Sequence, residues 1–420
     1  MQKLVRSLAS WQKNLYLTWF VQLLSTLGFN FCLPFLPYFV VELGVVDEGA
    51  ATMWAAVLTA APSLLLIIFS PLWGAIADRY GRKPMVSRTL IAGFTAIFLM
   101  SRVQTVEQLL ILRLIQGAFS GTIAACMAMV STMVPERHLG SSLGLMQTAV
   151  FCGTSFGPLF GGIAADVMGF RNSFFLASLM LLAGILIIIF LVHEDFKPAV
   201  KEKGKRKDRW QDLHRLLTSR TLLAMSFILF ATQFSLKAML PITPLVVGKL
   251  VTTDMYLSTY SGLVISVTGL TAAVAATCIG KIGDQKGHQH VLLICAIGTG
   301  VMFLGHMVVG NIITFLLVRG LVGLVLGGIL PAANAIIGAS VGQEIRGQAY
   351  GVSSSASYFG NFAGPIVAGI FASNLGFQSV FILVAFLFLF SAFLIKVSLP
   401  SGAMPAVLIE VVDKPKDANV

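Results

Sequence analysis

Gly74-Ala75-Ile76-Ala77-Asp78-Arg79-Tyr80-Gly81-Arg82-Lys83-Pro84 is a polar, glycine-punctuated stretch set between two apolar runs. A worn copy, Gly280-Lys281-Ile282-Gly283-Asp284-Gln285-Lys286-Gly287-His288, follows 206 residues later. Other marks keep almost the same register. Pro34 and Pro37 recur as Pro241 and Pro244, and Arg113 recurs as Arg319. Gly153, Gly157 and Pro158 return as Gly360, Gly364 and Pro365, and Gly169-Phe170-Arg171 as Gly376-Phe377-Gln378. Chance does not hold one register over so many separated marks, so the chain consists of two copies of one unit.

Each copy contains six apolar runs. They are read at Leu15–Val41, Trp54–Trp73, Met85–Met100, Leu109–Met133, Leu143–Val167 and Phe174–Leu191, then at Leu222–Val247, Tyr256–Ile279, Val291–Val309, Ile312–Ile337, Tyr350–Ala372 and Val380–Val397. Runs of this length cross ~30 Å of hydrocarbon, and in lipid they must be helices to pair their own backbone. Composition agrees: 56% of the 420 residues are hydrophobic, 11% are charged and the mean hydropathy is +0.87. A soluble domain carries roughly a quarter of its residues as charges. The expected fold is an all-α membrane protein of twelve helices in two six-helix bundles. An even number of spans per copy gives a parallel repeat, for which the substrate site is expected between the halves near the midplane.

The basic residues are unevenly placed. Only Arg102, Arg171 and Lys249 fall in one set of alternate loops, and Arg113, Lys237 and Arg319 lie inside spans; the others gather at the opposite ends. The positive-inside rule then puts both termini in the cytoplasm. The domain reading is residues 1–192 and 221–398 as the bundles, 193–220 as a cytoplasmic basic linker and 399–420 as a tail. The linker cluster Lys201, Lys203, Lys205, Arg206, Lys207 and Arg209 is expected near anionic headgroups, with a short interfacial helix at Arg209–Leu217. The net charge of +11 is therefore topological and does not point to nucleic acid. Cys32, Cys126, Cys152, Cys278 and Cys295 all sit in apolar stretches, without metal-knuckle or disulfide spacing. The first apolar run is too long for a signal h-region and lacks a small-residue cleavage site, so it is expected to stay attached.

Three motifs carry the mechanism. In the opening stretch, Gly74 and Gly81 permit a tight turn, and Asp78 stands among Arg79, Arg82 and Lys83 as a charged latch. Almost letter for letter it resembles the signature loop of the major facilitator superfamily, whose acid and bases stabilise one access state. The second copy keeps Asp284 but has Gln285 and His288 where cations would stand, so its latch is expected to be weaker. Leu109-x-x-x-Arg113-x-x-Gln116-Gly117 resembles a second family motif, and the resemblance implies a coupling role for Arg113 and Gln116. Read on physics alone, an arginine at this depth is a functional candidate, or else ties helices together through carbonyls of the first span. Gly153-Thr154-Ser155-Phe156-Gly157-Pro158-Leu159-Phe160-Gly161-Gly162 matches the family's antiporter motif. Small residues four apart let helices approach closely, and Pro158 adds a kink at the seam. The resemblance covers nearly the whole chain and looks like the twelve-span drug/proton antiporter branch, with its MdtG-like and tetracycline-efflux-like members.

One departure stands out. Several members of that branch carry an acid in the first span, where this chain reads Gly28-Phe29-Asn30-Phe31-Cys32-Leu33-Pro34. No span has a central acid, and the nearest are Glu107 and Asp166, toward the outer ends. Candidate cavity residues by helix and depth are Asn30, Phe31, Gln147, Phe151, Gln233, Phe234, Lys237, His306, Arg319, Asn334, Tyr358 and Asn361. His306 is read first as a packing residue, and Lys237 as either snorkelling outward or lining the cavity.

The expectation is proton-driven export of small organic molecules, drugs first, by a monomer in the cell's inner membrane. Its partners are lipid, small-molecule substrate and protons, with no cofactor, metal or nucleic acid. The alternatives are an exporter of one endogenous metabolite, such as a siderophore or sugar, and a transporter-like sensor. No nucleophile–base pair, metal cluster or phosphate loop suggests an enzyme.

Overall fold

A backbone surrounded by hydrocarbon pairs its own N–H and C=O groups, and each apolar run forms a helix in the computed structural model. It describes residues 10–194, 214, 216–251, 255–342 and 345–399, except for the side chains of Ser10, Ala75, Asp78 and Glu136. The basic cluster Lys201–Arg209, most of the expected interfacial helix and residues 400–420 lie outside the described residues.

Among the described residues, twelve long helical segments follow in chain order, with a short helical piece at 214 and 216–218 between the sixth and seventh. α1 runs Ser10–Phe31 (α1a), turns at Leu33–Phe35 and resumes at Leu36–Glu42 (α1b). α2 is Glu48–Tyr80, α3 Lys83–Met100, α4 Val106–Ala118 (α4a) and Thr122–Met133 (α4b), α5 Leu139–Met168 and α6 Phe170–Phe190. α7 is Arg220–Leu250, α8 Leu257–Lys286, α9 His288–Gly305, α10 Ile312–Gly327 (α10a) and Ile329–Ser340 (α10b), α11 Arg346–Leu375 and α12 Phe377–Ser398. Among the described residues, ten of these are long and apolar enough to cross a membrane. The other two are α3, which begins at Lys83 and carries Arg88, and α11, diluted by Ser353, Ser354, Ser355, Ser357 and Asn361.

The structure adds breaks that hydropathy does not show. α4 is interrupted at Phe119–Gly121, where Gly121 takes φ +120°, and α10 is interrupted at Gly328. Prolines, which remove an N–H and crowd the preceding turn, stand inside other helices: Pro62 and Pro71 in α2, Pro158 in α5, Pro241 and Pro244 in α7, Pro365 in α11. Helix starts are capped locally. Asp47 accepts from Ala50 N at 2.7 Å, and Asn311 and Thr314 form a capping box on α10a. Such caps contribute about 1 kcal/mol each.

The chain divides into two compact units. One comprises Met1–Glu202, Ala238–Leu270 and Pro365–Leu375; the other comprises Lys203–Lys237, Thr271–Gly364 and Gly376–Val420. In the first, Phe35 and Phe39 pack on Phe170 and Phe174 with ring centroids 5.2–6.0 Å apart, closing the α1–α6 contact. In the second, Phe303, Phe315 and Phe381 enclose His306 between α9, α10a and α12. Both units use backbone-on-backbone contacts at glycine: Gly117 of α4a against the Pro62 carbonyl of α2, Gly327 against the Ala272 carbonyl of α8, and Gly360 and Gly364 of α11 against Phe230 and Phe234 of α7.

Candidate functional site

The signature loop is built around a left-handed glycine. Gly81 ends α2 at φ +97° and donates to the Ala77 carbonyl at 3.0 Å, and its repeat partner Gly287 ends α8 at φ +90° in the same way. A side chain at either position would be strained. The next two amides, of Arg82 and Lys83, start α3 and have no cap from their own segment. Glu194 supplies one from just past α6, accepting both at 2.9 and 2.7 Å. Lys83 reciprocates: its Nζ donates to the Ile189 and Val192 carbonyls at 3.0 and 2.7 Å, pairing the end of α6. Each charge thus sits at the helix terminus of opposite partial charge. Glu194 was not among the sequence candidates; its signal is an acid directly after the sixth apolar run, at the edge of a basic stretch.

Asp78, the expected latch acid, lies outside the described side chains. Arg79 is exposed over the Tyr80 ring at 5.3 Å. In the second copy, Asp284 is exposed and pairs with His288 Nε2 at 3.3 Å, one helical turn on.

The broken α4 exposes carbonyls that need donors, and two residues missed in the sequence provide them. Trp73 Nε1 donates to Ala118 O at 2.7 Å, and Arg88 donates to Phe119 O and Ser120 O at 3.4 and 3.2 Å. The Arg88 guanidinium lies 3.6 Å from the Trp73 ring centroid, a stacking that lets a cation remain at this depth. In the sequence Arg88 stands close to the basic stretch that precedes the third apolar run, where a cation needs no other explanation.

Arg113 is 5% exposed, with Cys32 beside it. Its Nη1 donates to Gln116 Oε1 at 3.2 Å, joining the two motif residues. Its Nε and Nη2 are buried without a hydrogen-bond partner among the described residues, so the alternative of a tie to first-span carbonyls is not what the geometry shows. Arg319 in the other unit is 4% exposed, also has a partnerless buried Nε, and lies near His306.

The antiporter motif has two faces. Gly153, Gly157 and Gly161 lie four apart on α5 and meet α1a at Thr26, Leu27 and Phe31. Gly162 sits on the Ser258 carbonyl of α8, Gly262 of α8 sits on the Pro158 carbonyl, and Gly269 faces Ser155. One motif therefore clamps α5 to two helices, because no Cβ holds the backbones apart.

The remaining candidates fall into two sets. In the first unit, Asn30, Gln147 and Phe151 are half-buried, while Phe31 is fully buried in packing. Asn30 Nδ2 donates to Thr26 O at 2.7 Å. In the second unit, Gln233, Lys237, Asn334 and Asn361 are half-buried, Tyr358 is exposed and Phe234 is buried against Phe230. Asn361 keeps a buried Oδ1 without a partner among the described residues, and Lys237 has a partner. His306 Nδ1 is 3.1 Å from Met302 O inside its aromatic cage, the packing role read first from the sequence. No group of three or more metal-ligating side chains occurs among the described residues.

Comparison with known proteins places this geometry. The family model described as Major Facilitator Superfamily matches residues 18–261 and 252–407. Multidrug resistance protein MdtG of Proteus mirabilis is 32% identical over 373 residues, covering 89% of this chain and 92% of that protein. MdtG of Klebsiella pneumoniae is 31% identical over 398 residues, covering 94% and 96%. A crystal structure of the nucleoside transporter NupG matches with a TM-score of 0.73 over 91% of this chain and 100% of that one; at 16% identity it shows the fold alone.

Proposed function

The chain belongs to the major facilitator superfamily, a family of membrane transporters and not of enzymes, and from that premise we propose that it exports small organic molecules, drugs among them, in exchange for protons by alternating access. The observation that carries this reading is the two-faced glycine seam. Gly153, Gly157 and Gly161 fix α5 to α1a, while Gly162 meets α8 backbone to backbone. A contact of that kind is either closed or open, because a close-packed interface does not deform continuously. The seam thus suits a barrier that must not leak protons while cargo changes sides.

Relatives named for multidrug resistance over nearly the full length support drugs as cargo. The half-buried residues Asn30, Gln147, Phe151, Gln233, Lys237, Asn334 and Asn361, with the exposed Tyr358, are the proposed cargo contacts, and Arg113 and Gln116 act in coupling. In this reading the protein is a monomer in the inner membrane with both termini in the cytoplasm, and residues 1–192 and 221–398 move as the two halves. The test is a drug-susceptibility panel on cells with and without the gene, together with metabolite profiling. Increased susceptibility to several unrelated drugs on deletion is expected. Retention of a single metabolite with unchanged drug tolerance would replace the proposal with a dedicated exporter.

A further inference from the structure

α8 begins in an unusual way. The residue before its first turn is Tyr256, at φ +66°, a left-handed conformation that a bulky non-glycine residue rarely adopts. Tyrosine at that place offers no side-chain oxygen to the first free amides of the helix, which need acceptors. The acceptor comes instead from α5, 92 residues earlier in the chain: Asp166 Oδ1 takes Ser258 N at 3.2 Å, and Oδ2 takes Thr259 N at 2.7 Å. A neighbouring contact ties the same region together. The Tyr38 hydroxyl of α1b donates to Pro244 O of α7, lies 3.4 Å from Ser261 Oγ and faces the charge of Asp166. Directly below, Gly162 rests on Ser258 and Gly262 on Pro158, leaving no room for water between the two backbones.

We propose that Asp166 is a proton-addressed gate residue, whose ionised carboxylate holds the α5–α8 seam shut at the end opposite the basic loops, and whose protonation from the water on that side releases it. This rests on the exporter reading and adds its regulation: acid on the trans side opens the exit. The chemistry is simple. A hydronium ion gives its proton to one carboxylate oxygen and leaves as water. The carboxyl then has one O–H and fewer free lone pairs, so both caps fall from charge-assisted to neutral hydrogen bonds and weaken. The charge that favoured the positive helix terminus is lost as well. When the proton returns to the same solution, the caps regain their strength. Asp166 is therefore a gate and not the carrier of the transported proton.

Other charges around the seam are engaged elsewhere. Arg171 of α6 approaches Glu42 at 3.7 Å and donates to Val103 O, and Lys249 at the end of α7 pairs with Glu48 at 3.0 Å. Tyr38 is the titratable group that faces the carboxylate from α1b. Asp254, which precedes α8 in the sequence, lies outside the described residues. Asp166 itself is half-buried, so a proton can reach it from solution.

The test is a distance measurement that needs no cargo. Nitroxide labels are placed at the exposed Val167 and Met255, flanking the seam, with the native cysteines replaced by alanine. The protein is reconstituted and read by double electron–electron resonance at about pH 7.5 and about pH 3, on either side of the ordinary aspartate value of ~3.9. The parent should pass from a short to a longer distance on acidification. Asp166→Asn should show the longer distance at both, and Asp166→Glu should retain the pH response with a moved midpoint. A pH-independent distance in the parent, or an Asp166→Asn variant that still responds, overturns the proposal. Proton-driven drug transport by the same proteoliposomes is scored separately. Loss of the pH-dependent distance with transport intact refutes the gate alone, and a pH-dependent distance without drug transport refutes the exporter reading alone.

Discussion

Gly161 of α5 lies on the carbonyl of Phe31, the last residue of α1a, and Gly161→Ala is the most sharply defined perturbation the structure offers. The added methyl would overlap the Phe31 oxygen and sit 2.6 Å from the carbonyl carbon and 2.9 Å from Cα. All three are backbone atoms, so no rotamer change gives relief, and α1 and α5 must separate. A gap of ~0.5–1 Å forfeits a quarter to a half of the dispersion well for each atom pair along the seam. Overpacking of this kind costs about 1–3 kcal/mol, and an immovable obstacle belongs at the upper end. Gly157→Ala is the internal control. Its nearest atoms are Leu27 O and Asn30 Cβ, both at 3.1 Å, which a shift of a few tenths of an ångström relieves; it should fall at the lower end. The difference, about 2 kcal/mol, is roughly 30-fold in the folded-to-unfolded ratio. The assay is unfolding of purified protein in mixed micelles, followed by tryptophan fluorescence against increasing SDS fraction. Equal midpoints for the two variants, or a more stable Gly161→Ala, would show that α5 does not press on α1 as described.

Other outcomes follow from the same geometry. Gly157→Val, which adds a branched side chain at the 3.1 Å contacts, should abolish exchange while leaving the protein in the membrane, as judged by vesicle transport at matched expression. Glu194→Gln removes the charge from the cap on α3 and should lower stability by about 1 kcal/mol; an unchanged unfolding midpoint would show that the α6–α3 clasp is incidental. Asp78→Asn should remove most transport and Asp284→Asn less, since Asp284 pairs with His288 where the first copy has a cluster of cations; equal losses would count against unequal latches. Arg113 and Arg319 keep buried nitrogens without a hydrogen-bond partner among the described residues, so neutral or anionic cargo should be preferred over lipophilic cations. Strong ethidium-type efflux that survives Lys237→Ala would rule that preference out.

The twelve helices were legible because lipid leaves a chain no other way to pair its backbone, and the repeat was legible because its glycines and prolines do local work. Gly81 and Gly287 share a left-handed turn, as do Gly169 and Gly376 at φ +82° and +79°. The break in α4 was not legible. Phe119-Ser120-Gly121 reads as apolar and small, and nothing in hydropathy reports that three carbonyls there turn to Trp73 and Arg88. Glu194 was hidden by its place at the edge of a basic segment, although its work is done on α3. Asp166 was visible as one of two acids near the outer ends of spans. What could not be read was its partner, because an amide N–H carries no side-chain signature and Ser258 and Thr259 lie on the other repeat. The antiporter glycines were read as a helix seam; that they press on α1 and on α8 from two faces of one helix required coordinates.

Exchange of drug for protons is the property on which the proposed function depends. Everted vesicles containing the protein are loaded with a pH-sensitive dye, acidified inside and given a drug from the susceptibility panel outside. The prediction is drug accumulation with matching alkalinisation of the lumen, both abolished by a protonophore and by Gly157→Val. Accumulation that persists with the proton gradient collapsed, or a gradient that does not respond to any drug the cells resist, would contradict it.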